Sequence, residues 1–379
     1  MNNTVEKQVN SKIDLNNVGK ITTNELAQPL TDAKEQKQAK KSLVLADYDK
    51  YRVSHNSDIA DETPIIFIND RKIAVNGDIS FITGQPKAGK TSIAAFIIAT
   101  ALMENIPSEL DSLKIKSTYC KGKKIIYIDT EQPYSQTNKL RKRICRILGT
   151  DKEPDNLHIL NIRSISRKEK KDEVFSIIDS FKDDLHFIIL DGIADLVKDP
   201  NIADESFDLI DELMRKALSY NIPILAYIHL NPNSDKVRGN LGSEADRKCG
   251  ASVSIKKDSQ TGIHSIESRY MRYDGDIETV HFRYDNEINN FRTLTGNEAK
   301  EAKDKEKLEK IELLKEVAYQ ATAGGRSEVD FTQFVSIVMS HYECEERTAK
   351  TRIKEMLDLK IINKGEGKKG FYSLNKVEN

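Results

Sequence analysis

From residue 79 onward, short runs of consecutive apolar residues alternate with longer stretches where apolar positions recur every three or four residues. The runs predict strands at 79–83, 124–129, 157–161, 187–191 and 224–229, and the intervening periodicity predicts helices at 91–104, 136–148, 171–181 and 205–220. Strands apolar on both faces and separated by helices imply an α/β fold, with a mostly parallel sheet covered on both sides. Two shorter strands, 65–68 and 72–75, flank an Asn69-Asp70 turn just after Pro64. After His229 the pattern changes, and 252–257, 262–268 and 278–284 predict antiparallel strands added at the sheet's edge.

The ends of the chain read differently. Residues 1–60 are polar and weakly patterned, which predicts a partly disordered or helical arm. A compact domain is expected over 61–290, a polar linker over 291–304 and a second domain over 305–379. In the last segment, Leu308, Ile311, Leu314 and Val317 fall at helical spacing, and Asp330 with Gln333 resembles a capping box. A helix over 345–359 and a hairpin around 364–369 complete the order of a winged helix-turn-helix.

Composition narrows the class. The chain has 379 residues, 59 Lys and Arg against 60 Asp and Glu, so nucleic acid must be met by a local patch, not a basic coat. Cys120, Cys145, Cys249 and Cys344 lack zinc-like spacing and suit a reducing compartment. No run reaches membrane-spanning length and the first residues lack a secretory core, so a cytoplasmic protein is expected.

One segment carries chemistry directly. Gly84-Gln85-Pro86-Lys87-Ala88-Gly89-Lys90-Thr91 fits GxxxxGK[ST] between a predicted strand and a predicted helix that continues from Ser92. That context aims backbone N–H groups at one point, where a phosphate binds. Lys90 reaches outer phosphates and the Thr91 hydroxyl joins the shell of Mg²⁺. The alternative is a glycine-rich turn before a helix. The motif predicts binding of ATP or GTP.

Other residues extend the site. Asp191 ends an apolar strand and is followed by Gly192, the position of a magnesium-associated acid or of a turn residue. Asp129-Thr130-Glu131 follows a strand expected to neighbour the phosphate-loop strand. Glu131 is the candidate base or water positioner and Asp129 its competitor. His229 is either a reporter of the γ-phosphate or a structural histidine. The segment 230–251 reads as a mobile, exposed loop whose Lys236, Arg238, Arg247 and Lys248 could meet DNA phosphates. Arg269 and Arg272 could enter a neighbouring subunit's site as arginine fingers, or merely solvate the surface.

Together these pieces resemble the RecA-like ATPases, particularly hexameric plasmid replication helicases and the replicative helicase core, over residues 64–284. The chain also looks like ATPases of plasmids and mobile genetic elements. The resemblance implies ATP as the nucleotide with Mg²⁺, Glu131 as catalytic glutamate, Asp191 as magnesium-associated acid and His229 as the link to a DNA-facing loop. It further implies Arg269 as leading finger, a homo-oligomer up to a hexamer, and replication or mobilisation proteins as partners. The run Glu267-Ser268-Arg269-Tyr270-Met271-Arg272 departs from the Lys and Arg two residues apart common in replicative helicases, which keeps Arg272 in play.

In the last domain, Arg347, Lys350, Thr351 and Lys354 would line a recognition helix, with Lys364, Lys368 and Lys369 on the wing. Residues 297–379 hold 16 basic and 16 acidic side chains, so this domain has no bulk attraction for duplex DNA; DNA binding is the first reading and protein docking the alternative. Two functions therefore stand, the first leading and the second its alternative. One is a ring-forming helicase or remodelling motor on single-stranded DNA. The other is an ATP-dependent switch or scaffold that recruits proteins or recognises DNA without unwinding. A small-molecule kinase is a third reading, without an acceptor pocket to support it.

Overall fold

A computed structural model describes residues 48, 51–55, 61–231, 234–325, 327–365 and 370–375. The arm expected over 1–60 falls largely outside the described residues.

The compact part opens with strands β1 (Pro64–Ile68) and β2 (Arg71–Val75). Asn69 and Asp70 both take positive φ, which suits their short polar side chains in a tight hairpin turn. Next come β3 (Ile79–Gly84), helix α1 (Lys90–Leu102), β4 (Ile115–Ser117), β5 (Lys124–Asp129), α2 (Tyr134–Leu148) and β6 (Leu157–Asn161). After α3 (Arg167–Ser180) follow β7 (Leu185–Asp191), α4 (Ala203–Tyr220), β8 (Ile224–His229) and α5 (Gly239–Lys248). Strands β9 (Ala251–Lys257), β10 (His264–Met271), β11 (Val280–Asp285) and β12 (Asn290–Leu294) end the first half.

These strands build a nine-stranded sheet in the order β12-β11-β10-β9-β3-β8-β7-β5-β6, and β2-β1-β4 form a small separate sheet. Side chains of the central strands divide between two cores. Ile125 and Tyr127 of β5 and Phe187 and Ile189 of β7 join the core that holds α1 and α2. Ile126, Ile128, Ile188 and Leu190 point the other way, into the core under α3, α4 and α5. Two-sided burial explains why these strands read as unbroken apolar runs.

The topology corrects three expectations. Strand β5 does not neighbour β3: both β8 and β7 lie between them. Crossover connections decide strand order, and their landing sites are not encoded in local periodicity. Strand β9, expected as antiparallel, runs parallel to β3, and the antiparallel pairing begins only between β9 and β10. Residues 291–304, expected as a linker, complete β12 and begin helix α6 (Gly296–Ala321). A reciprocal capping box between Thr295 and Glu298 starts that helix, and the charged surface of its first turns disguised it as linker.

The chain ends with β13 (Val329–Asp330), α7 (Phe331–Tyr342), α8 (Glu346–Asp358), β14 (Ile362–Lys364) and β15 (Phe371–Leu374). Three helices and the sheet β13-β15-β14 enclose their own core around Leu314, Val317, Phe334, Val338, Ile353 and Met356. Asp330 caps α7 by accepting from the N–H groups of Thr332 and Gln333, at 2.9 and 3.1 Å.

Candidate nucleotide site

The site lies at the carboxyl ends of β3, β8, β7 and β5. Gly84 closes β3 against the neighbouring strand, where an added Cβ would meet the Ile255 carbonyl oxygen at 2.5 Å. The loop Gln85, Pro86, Lys87, Ala88 turns back with Ala88 N–H donating to Gln85 O at 3.2 Å. Gly89 then caps α1 with φ 103°, a conformation that favours glycine. The helix has neither a side-chain cap nor an acid in its first turn, so its leading N–H groups face the loop with their partial positive charge intact.

Lys90 is folded back over this cradle. Its ammonium donates to Gly84 O at 2.8 Å and Gln85 O at 3.2 Å, and lies 3.0 Å from His229 Nδ1. Burial lowers its pKa to about 8, against the raising influence of Asp191 and Glu131. An ammonium only donates, so His229 accepts at Nδ1 and carries its proton on Nε2. That Nε2 sits 3.1 Å from Glu131 Oε2, and the hydrogen bond holds the Glu131 carboxyl below its usual range.

The two acids at the end of β5, Asp129 and Glu131, separate by their contacts. Asp129 is consumed in its own turn: it accepts from Glu131 N–H at 3.1 Å, Gln132 N–H at 2.8 Å and Thr137 Oγ1 at 2.6 Å. Glu131 reaches the site although its strand is three positions from β3. The peptide before it is braced by Thr130 Oγ1 on Gly192 O at 2.9 Å and by Lys170 Nζ on Thr130 O at 2.7 Å. Lys170, buried and also paired with Asp195 at 2.9 Å, was not singled out by sequence.

Asp191 is buried at the end of β7, 3.5 Å from the Thr91 hydroxyl, and accepts a short hydrogen bond from Tyr127. Desolvation dominates and raises its pKa to about 6. Ser92 accepts a hydrogen bond from Arg143, whose guanidinium stacks toward Phe291 at 5.8 Å and whose pKa burial depresses. Arg143 was invisible in sequence, because only the packing of α2 on α1 brings it to the first turn. His264, also missed, is 2.7 Å from Ala88 O through Nδ1 and stacks on Phe282.

Other candidates lie apart from this cluster. Segment 230–251 is ordered through much of its length, with a Leu230–Val237 bridge and helix α5, in place of the expected mobile loop. Apolar Leu241 and Ala245 dock α5 on the core. Arg238 is exposed just before α5, and Lys236 is exposed in the bridged turn. Arg247 and Lys248 have acidic neighbours, Glu244 at 3.4 Å and Asp211 at 3.8 Å. Arg269 pairs with Asp246 at 3.0 Å and also donates to Asp235 O, so its guanidinium is engaged within its own chain. Arg272 donates to Arg247 O at 3.4 Å. Arg347, Lys350 and Lys354 share the exposed side of α8, with Lys350 bound to Glu346 at 2.6 Å. Lys368 and Lys369 lie outside the described residues.

Strand, glycine-capped loop and helix, together with Lys90, Thr91 and Asp191, define an α/β protein of the P-loop type. No protein-family model matches the chain, and no curated protein matches it. Solved structures do: among 522 matching chains is the crystal structure of the RadB recombinase. It shares 15% identity, covers 59% of this chain and 93% of its own, and superposes with a TM-score of 0.41.

Proposed function

We propose that this chain is a magnesium-dependent ATP hydrolase of the RecA-like type that acts with DNA. The observation that carries this reading is the continuous polar chain from Lys90 through His229 to Glu131, set over the phosphate loop. The residues fit a magnesium nucleoside triphosphate. The uncapped start of α1 and Lys90 would hold the phosphates, while Thr91 and Asp191 would hold the ion. Among the described residues there is no cluster of three acidic, His or Cys side chains able to hold a metal, which suits an ion bound largely through phosphate and water. When bound, the ion supplies charge neutralisation on the phosphates.

The chain's own groups account for the rest. Glu131, held as a carboxylate by His229, is placed to accept a proton from an attacking water. Gln85 donates to Asn231 O at 2.6 Å and Ser234 O at 3.2 Å, tying the phosphate loop to the turn that follows His229. A change in the loop on nucleotide binding would therefore reach the exposed Lys236 and Arg238. ATP in preference to GTP rests on the RecA-like resemblance.

Between a ring motor and a switch that acts on DNA without unwinding it, the engagement of Arg269 by Asp246 and Asp235 favours the switch. A cation already paired in its own subunit is poorly placed to serve a neighbour. The carboxyl-terminal module is proposed as a winged helix in which Arg347 and Lys354 approach DNA. No helix among the described residues is long and apolar enough to cross a membrane.

The test is ATP hydrolysis with and without single- and double-stranded DNA, alongside strand displacement. Hydrolysis stimulated by DNA without displacement supports the switch. Displacement restores the motor. Absence of any magnesium-dependent hydrolysis or nucleotide binding rejects both.

A further inference from the structure

We propose that helix α6 is a dimerisation element, which pairs antiparallel with α6 of a second copy of this chain. A groove of about 1020 Å³ runs along α6 and is bounded by Leu359, Ile361 and Leu374 of the carboxyl-terminal module. Its helix side exposes Leu308 at 62% and Tyr319 at 58%, well above what an apolar side chain with a settled partner shows.

The residues on that side form an ordered stripe. Leu308, Glu312, Lys315 and Tyr319 are spaced by four, three and four positions, the interval that keeps a seam on one line of a helix facing a partner helix. The opposite face of α6 is already used, since Leu314, Val317 and Ala318 are buried in the module's core and Lys310 is paired with Glu355 of α8. The stripe therefore belongs to neither the core nor the α6–α8 contact.

Its charge pattern specifies the occupant. When two such stripes are laid antiparallel with Leu308 opposite the partner's Tyr319, Glu312 falls opposite the partner's Lys315. By the two-fold, each contact occurs twice, giving two apolar pairs and two ion pairs along the seam itself, with Glu309 and Glu316 on its rim. Within one chain Glu312 and Lys315 already lie 2.8 Å apart at 70% and 51% side-chain exposure, so both heads are free to exchange partners. A parallel pairing would oppose Glu312 to Glu312 and Lys315 to Lys315. Self-complementarity in one direction only points to a second copy of this chain.

The experiment is mass measurement by light scattering and sedimentation on the full chain, across a concentration series. The wild type is expected to dimerise, and Glu312→Lys or Lys315→Glu alone to weaken the dimer about tenfold or more by opposing like charges. The double variant Glu312→Lys/Lys315→Glu restores the complementary pairs and should recover the wild-type dimer. Both sites are solvent-exposed, and circular dichroism of each variant confirms folding. A wild type that stays monomeric, or larger assemblies indifferent to both single changes, overturns the proposal. So does a double variant no better than the singles, or a seam that gains mass only with another protein or with nucleic acid. None of these readouts depends on nucleotide.

Discussion

Lys90 Nζ lies 3.0 Å from His229 Nδ1, so the ammonium that should grip a phosphate is held by the residue that orients Glu131. A nucleotide competing for Lys90 would release Nδ1 while Nε2 still holds the glutamate. In the proposed function, phosphate occupancy at Lys90 and the posture of Glu131 would be coupled through one imidazole.

Replacing Glu131 by Gln should leave nucleotide affinity within a few fold and slow hydrolysis by about 10²-fold or more. Replacing His229 by Ala should slow hydrolysis less, because Glu131 loses orientation but not its carboxylate. Lys90→Ala should abolish binding. Calorimetry and steady-state phosphate release separate these cases, and equal loss of binding in all three would contradict the assigned roles.

Nucleotide binding should be strongest between about pH 6 and about pH 8. Below that window Asp191 gains a proton and ceases to attract magnesium; above it Lys90 loses its charge. The raised Asp191 pKa also makes this group destabilising above pH 6, and the penalty is relieved as pH falls through 6 towards the unfolded value of 3.8. Asp191→Asn should remove the acid limb from a titration of magnesium-nucleotide affinity.

Gly192→Ala should damage both fold and hydrolysis. The residue has φ 106°, and an added Cβ would meet Thr130 Oγ1 at 2.5 Å and Glu131 Cγ at 2.6 Å. A loss of roughly 1–3 kcal/mol in denaturant unfolding is expected. Hydrolysis per folded molecule should fall further than nucleotide affinity, since the clash falls on the Glu131 side.

Arg269→Ala leaves Asp246 without its ion pair in a largely buried setting, with a cost of roughly 1–3 kcal/mol. Mixing this variant with wild type should give activity proportional to the wild-type fraction. Suppression beyond that proportion would show the arginine acting across a subunit boundary.

The phosphate loop, the strand and helix segments of the core and the candidate acids could all be read along the chain. Each depends on neighbours close in sequence: glycines flanking a turn, runs of apolar residues, an acid at a strand's end. The preference for Glu131 over Asp129 was also legible, but its physical support was not: Thr137 and two N–H groups occupy the Asp129 carboxylate, and those contacts form only in the fold. Nor was the bracing by Lys170 legible, or the approach of Arg143 to Ser92, which come from α3 and α2.

By itself, then, the order of residues determined a glycine-flanked turn between a strand and a helix, since backbone geometry there follows from local chemistry. Tertiary structure alone decided that β8 and β7 stand between the two halves of the site, and that His229 closes the gap from Lys90 to Glu131. It also decided that Arg269 is spent on Asp246. Those outcomes depend on which crossover lands beside which strand, and contacts between residues about a hundred positions apart leave no periodic trace in the chain.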